Sequence, residues 1–284
     1  ARAQGIERRL PYQSDPACRA LINEGRMAYT DLHLSHVARM ARAGSLGPLD
    51  VAVVEVAAIL PDGRLLPTTS VGNNQTWLDL ARQVILEVNL RQDPALEGLH
   101  DIVHGLALPP HAAPIALSHP ADRIGDPWLR CDPAKVVAVV VTDADDRHTT
   151  FTPPDETSAR IAGHLVEFLS HEVKAGRLPA DLLPLQSGVG NTANAVLAGL
   201  DGGPFGRLTA FTEVLQDGML ALLRSGRLAF ASATGLSLSP EAAREFHARL
   251  DFYRQRIVLR PEEISNHPEL VRRLGVIAMN GMIR

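Results

Sequence analysis

Three stretches in the first half of the chain are almost continuously apolar: 51–56, 84–88 and 136–141. They are rich in β-branched residues, which predicts parallel strands covered on both faces. Between the first two, 76–83 reads as a short helix. Strand, helix, strand in that order predicts an α/β layer architecture. Residues 106–133 break the pattern with prolines at 109, 110, 114, 120, 127 and 133, so an irregular connection is expected there. The segment 143–154 is acidic and ends in Pro153-Pro154. It is the natural boundary between two α/β domains, 1–150 and 151–284.

The second half repeats the alternation. A helix capped by Asp155 or Thr157 carries the apolar stripe Ile161, Leu165, Phe168, Leu169 and Val173, and Gly176 and Pro179 stop it. The pattern continues as loop 184–190, helix 192–199, strand 207–212 and helix 215–224. Strand 227–232, helix 240–252, strand 256–259, helix 268–274 and strand 276–279 follow. Ser239-Pro240 supplies an N-cap and a proline at the first helical position.

Composition narrows the function classes. The chain has 284 residues, 45% of them apolar, and a formal net charge of −4. That is ordinary globular usage with no basic footprint for nucleic acid. Two cysteines, Cys18 and Cys131, are too few for a disulfide scaffold or a Cys-rich metal site; a reducing cytoplasm fits them. No run of ~20 apolar residues predicts a membrane span, and no signal peptide opens the chain. The sequence starts at Ala1 and stops at Arg284, just after the strand-like run 276–279. Both ends read as cuts through a longer protein.

Three segments can carry chemistry. Gly188-Val189-Gly190-Asn191-Thr192 leads into a helix, where glycines permit close backbone approach and free N–H groups face an anion. A plain loop-to-helix turn has the same pattern. Glu213, in Phe211-Thr212-Glu213, falls where a strand ends and a helix begins. In α/β sheets ligands collect at such carboxyl ends, so Glu213 fits a nucleophile or base, or equally a carboxylate stabilised by the helix dipole. The run from Glu262 through Glu263, Ser265, Asn266 and His267 to Pro268 follows a strand on the same sheet edge. There Asn266 and Ser265 also fit helix capping, and Glu263 can serve a second purpose. Arg147 can clamp a carboxylate or pair with Asp145 or Asp146 on the surface. His33 with His36, and His100 with His104, have metal-like spacing, but no third ligand accompanies either pair, so no metal is expected.

Taken together, the stretches 183–200, 211–228, 230–242 and 257–280 resemble the acetyl-CoA hydrolase/transferase family, particularly its succinyl-CoA:acetate CoA-transferases. The stretches 8–16, 31–40, 68–73 and 171–179 fit as well. The resemblance covers nearly the whole chain and implies two similar open α/β domains with the active site between them. It makes Glu213 the catalytic nucleophile, Val189 N–H an oxyanion donor and Asn266 an active-site residue. Gly188, Val189, Gly190, Asn191 and Thr192 inherit coenzyme A binding, and Arg147 inherits carboxylate binding. Coenzyme A is then a substrate, with no tightly bound cofactor. Acyl-CoA and small carboxylates are the partners, with no nucleic acid and no membrane. A cytoplasmic homodimer is implied. The implied reaction passes coenzyme A between an acyl-CoA and a carboxylate through a glutamyl-CoA thioester. The alternatives are an acetyl-CoA hydrolase or an inactive CoA-binding fragment, because the family's glycine-rich start and its Gly-Gly-Ser-Gly-Asp-Phe block are missing here. A sugar-phosphate isomerase is a remote third reading.

Overall fold

The computed structural model describes residues 5–10, 15–146 and 155–280. It is an α/β protein built on two parallel sheets. The first contains β1 (Val51–Val56), β2 (Gln83–Asn89) and β3 (Val136–Thr142) in that spatial order. Val53 pairs with Ile85, and Ile85 with Ala138. Before this sheet lie α1 (Pro16–Asn23) and α2 (Leu34–Arg42); α3 (Asn74–Leu80) joins β1 to β2. The expected helix thus starts and stops earlier than 76–83, because Gln83 already pairs with Val51 in the sheet.

The second sheet contains β4 (Leu185–Ser187), β5 (Leu208–Phe211), β6 (Leu228–Ala233), β7 (Ile257–Leu259) and β8 (Ile277–Met279). Their spatial order is β7-β6-β5-β4-β8, all parallel. The helices are α4 (Glu156–Lys174), α5 (Asn191–Asp201), α6 (Asp217–Ser225), α7 (Pro240–Ala248), α8 (Leu250–Arg254), α9 (Glu262–Ser265) and α10 (Pro268–Leu274). Asp155 caps α4 by accepting from Ser158 N–H at 2.7 Å, and Ser239 caps α7 by accepting from Ala242 N–H at 3.2 Å. The chain steps outward from β4 to β7, then returns to place β8 on the other side of β4. Strand order therefore reverses between β4 and β8, and in open α/β sheets the crevice outside the carboxyl ends at such a reversal is the ligand site.

Four expectations are corrected. The segment 184–190 is not wholly a loop, since its short polar run Leu185–Ser187 is a central strand held by β5 and β8. The helix expected over 240–252 breaks at Arg249, whose φ of −129° and ψ of 33° are not helical. Glu213 does not sit at a strand-to-helix junction. A two-residue strand, Val214–Leu215, intervenes and pairs with Gly235–Leu236 before α6 begins. Finally, the first sheet is not covered on both faces. β3 is an edge strand among the described residues, and its Val137, Val139 and Val141 are 53%, 51% and 63% exposed, because a β-branched run favours a strand without specifying what packs on its faces.

The two sheets share one hydrophobic cluster, running from Val54 and Leu86 in the first to Leu208 and Ala231 in the second. Backbone hydrogen bonds sew the seam. Val71 N–H donates to Thr234 O and Leu236 N–H to Thr69 O, while Asp101 N–H donates to Leu259 O. Arg260, fully buried, forms an ion pair with Asp101 and donates to Pro120 O at 3.0 Å and Ser232 Oγ at 2.8 Å. A guanidinium out of water survives only with its donors satisfied. Burial still pushes its pKa down to about 10.

Candidate active site

Glu213 follows β5, at the carboxyl edge of the second sheet. Its backbone is fixed by Thr234 N–H, which donates to Glu213 O at 2.8 Å. Its half-buried side chain and Asn266 line a cleft of about 450 Å³, whose opposite wall is Asp31, Leu32, His33 and Leu34. Burial raises the Glu213 pKa above the usual carboxylate range, while a hydrogen bond from Asn266 and the nearby charge of His33 pull it back. A carboxylate so placed is partly stripped of water yet held ionisable, which suits a nucleophile.

The loop Gly188–Gly190 leaves β4 at the point where strand order reverses. Gly190 has φ 124°, a conformation that disfavours any side chain, and a Cβ at Gly188 would lie 2.8 Å from Asn280 Oδ1. Val189 at the tip is 67% exposed. Behind it α5 starts at Asn191, with no side chain capping its first turn, so its leading N–H groups face outward, as anion sites require. Thr192 Oγ1 lies 3.4 Å from Ser158 Oγ on α4. The loop is tied to the segment that bears Glu213: Gln216 Nε2 donates to Gly188 O at 3.0 Å, and Thr212 Oγ1 to Ser187 O at 3.3 Å. The structure thus brings Glu213 together with Asn266, and sets the glycine loop beside Glu213's neighbours. Arg147 lies outside the described residues. Asp146, just before it, is held by Thr69 Oγ1 and Gln92 Nε2, each at 2.8 Å.

Sequence reasoning missed three participants. Glu262 begins α9 and accepts from Asn73 Nδ2 at 2.7 Å across the seam. Burial and the neighbouring Glu213 push its pKa up to about 7, against the Asn73 hydrogen bond. Asn73 belongs to the stretch 68–73, and its place in the resemblance was the available signal. His33 entered the sequence reading as half of a metal-like pair and inside the stretch 31–40, with no role of its own. Its ring lies 5.1 Å from that of His36. Among the described residues no group of three or more His, Cys, Asp or Glu converges as a metal site would, and no helix is long and apolar enough to cross a membrane. Glu263 has a clear task. Its carboxylate forms a nearly buried ion pair with Arg42, which also donates to Thr76 Oγ1 at 3.1 Å.

Known proteins show the same arrangement of sequence. A family model for the acetyl-CoA hydrolase/transferase N-terminal domain matches residues 1–142. The chain is 46% identical, over 97% of its own length, to an acetyl-CoA hydrolase from Schizosaccharomyces pombe, of which it covers 54%. It is 43% identical, over 99% of its length, to a succinyl-CoA:acetate CoA-transferase from Clostridium kluyveri, covering 52% of that protein. The chain spans about half the length of the curated relatives it matches. Among solved structures, RipA from Yersinia pestis superposes with a TM-score of 0.66 at 18% identity, over 95% of this chain and 56% of that one. A 4-hydroxybutyrate CoA-transferase from Porphyromonas gingivalis gives 0.61 at 19% identity, over 98% and 63%. These two likenesses show the fold.

Proposed function

The chain belongs to the acetyl-CoA hydrolase/transferase family, and we propose that it carries the nucleophile of a CoA-transferase acting on short-chain acyl-CoA. The observation that supports this reading most is the Glu213 carboxylate, half-buried and hydrogen-bonded by Asn266 in a cleft lined also by Asp31, Leu32, His33 and Leu34. Ionised Glu213 attacks the acyl-CoA carbonyl. The C–S bond breaks, leaving an acyl-glutamyl anhydride and the CoA thiolate. The thiolate then attacks the Glu213 carbonyl, releasing the first carboxylate and forming a glutamyl-CoA thioester. A second carboxylate reverses both steps and departs as the new acyl-CoA.

The other assignments follow from the same reading. Val189 N–H stabilises the oxyanions of the tetrahedral states, and Asn266 holds the Glu213 carboxylate by a hydrogen bond. Gly188, Gly190, Asn191 and Thr192 hold coenzyme A, and remote contacts of that kind keep the thiolate near the anhydride. Arg147 binds the carboxylate. The division into domains 1–150 and 151–284 rests on each half carrying its own parallel sheet. The free thiols Cys18 and Cys131 accord with a reducing cytoplasm, and a homodimer is the proposed assembly.

In the full-length protein bearing this chain, borohydride or hydroxylamine added with acyl-CoA should modify Glu213, and Glu213→Ala should abolish both labelling and transfer. Full transfer by that variant overturns the reading. The relatives' names also include hydrolases, so coenzyme A release is to be measured with and without acetate. Release at the full rate without acetate favours hydrolysis.

A further inference from the structure

The position before α2 breaks a local rule. Helix N-caps are normally Ser, Thr, Asp or Asn, whose side chains accept from the first turn. Here the N-cap is His33, and its side chain makes no such bond. The ring Nδ1 instead lies 2.8 Å from Ser35 Oγ, and the residue lines the cleft. Leu32 and Leu34 flank it on the same wall, facing Glu213 and Asn266.

The wall is also rigidly referenced to the nucleophile. α2 packs on α9, and the Arg42–Glu263 pair joins them with side chains only 18% and 12% exposed. Glu263 is three residues from Asn266, so the element that carries His33 and the turn that carries Asn266 are fastened together. We propose that His33 is a positioning residue for the nucleophile, its imidazole fixed by Ser35 in the cleft that Glu213 and Asn266 also line. This rests on reading Glu213 as the nucleophile. When protonated, the ring attracts the Glu213 carboxylate and keeps it ionised against burial. The other groups that bear on this pair are Asp31 on the same wall, His36 beside the ring, Glu262 on α9 and the neutralised Arg42–Glu263 pair behind it.

The test is a pH profile of kcat/KM for the full-length protein, comparing wild type with His33→Gln and His33→Lys. Melting curves establish that each variant is folded. His33→Gln should move the acidic limb of the profile to higher pH, because burial of Glu213 is then opposed by the Asn266 hydrogen bond without the charge of the ring. His33→Lys, which keeps a positive charge at this position, should bring the acidic limb back toward that of wild type. An acidic limb that stays in place in His33→Gln, whether activity is unchanged or lost equally at every pH, overturns the proposal. Trapping of Glu213 in wild type separates the two readings: labelling with an unshifted His33→Gln profile overturns only the role of His33, whereas no labelling overturns both.

Discussion

The two parallel sheets are made from similar residues and live in different surroundings. In the five-stranded sheet nearly every strand position is at least partly buried, and β7 is buried throughout. In the three-stranded sheet β1 and β2 bury alternate residues, while β3 is exposed along most of its length. Apolar sequence is thus common to both, and enclosure is not. The Glu213 cleft and the glycine loop stand at the carboxyl edge of the enclosed sheet, the loop where strand order reverses. The open sheet contributes instead through the loops that leave it, 68–73 and 99–101, which reach across to the edge of the other.

If the seam is what makes the sheets one body, breaking it should have the largest effect. Asp101→Asn strips the buried Arg260 of its counter-charge and should cost about 3–5 kcal/mol, read by urea denaturation; a loss under about 1 kcal/mol would mean the sheets hold together without it. The contrast between the sheets themselves is tested by a matched pair. Leu208→Ala, at a fully buried site in β5, should cost about 3 kcal/mol. Val139→Ala, half-exposed in β3, should stay within about 0.5 kcal/mol. Similar losses at the two sites would erase the distinction.

A smaller effect comes from His100, buried in the seam with its Nε2 donating to Thr68 O at 2.8 Å. Burial pushes its pKa down from 6.5 to about 4. The folded state keeps the ring neutral while the unfolded ring takes up a proton, so this contribution is lost as pH falls from 6.5 toward 4. By about pH 5 the protein should be about 2 kcal/mol less stable than near neutrality on this account. His100→Gln should flatten that part of the stability profile, and an unchanged slope would place the pH sensitivity elsewhere.

Much of this architecture is written in the strands. Continuous β-branched runs located β1, β2 and β3, and the βα alternation located most of the second sheet. β4 escaped because Leu185-Gln186-Ser187 has one apolar residue in three; its neighbours on both sides make it a strand, and local sequence does not contain them. The exposure of β3 escaped for the converse reason, since five valines look alike covered or bare. At the site, Glu213 and the glycine loop were legible as residues of the right kind at sheet edges. The cleft's far wall was not, because His33 lies 180 residues before Glu213 and meets it only through packing. Asp101 and Arg260, 159 residues apart, were hidden in the same way.

The hydrogen bond from Asn73 to Glu262 has a consequence for chimeras. One partner comes from each half of the chain, and the bond ends one residue from the Arg42–Glu263 pair, which also spans the halves. A hybrid that takes residues 1–150 from one relative and the remainder from another inherits half of each handshake. Its cleft is sound only when the donors agree at all four positions, so the natural unit of exchange is the pair of contacts and not the domain.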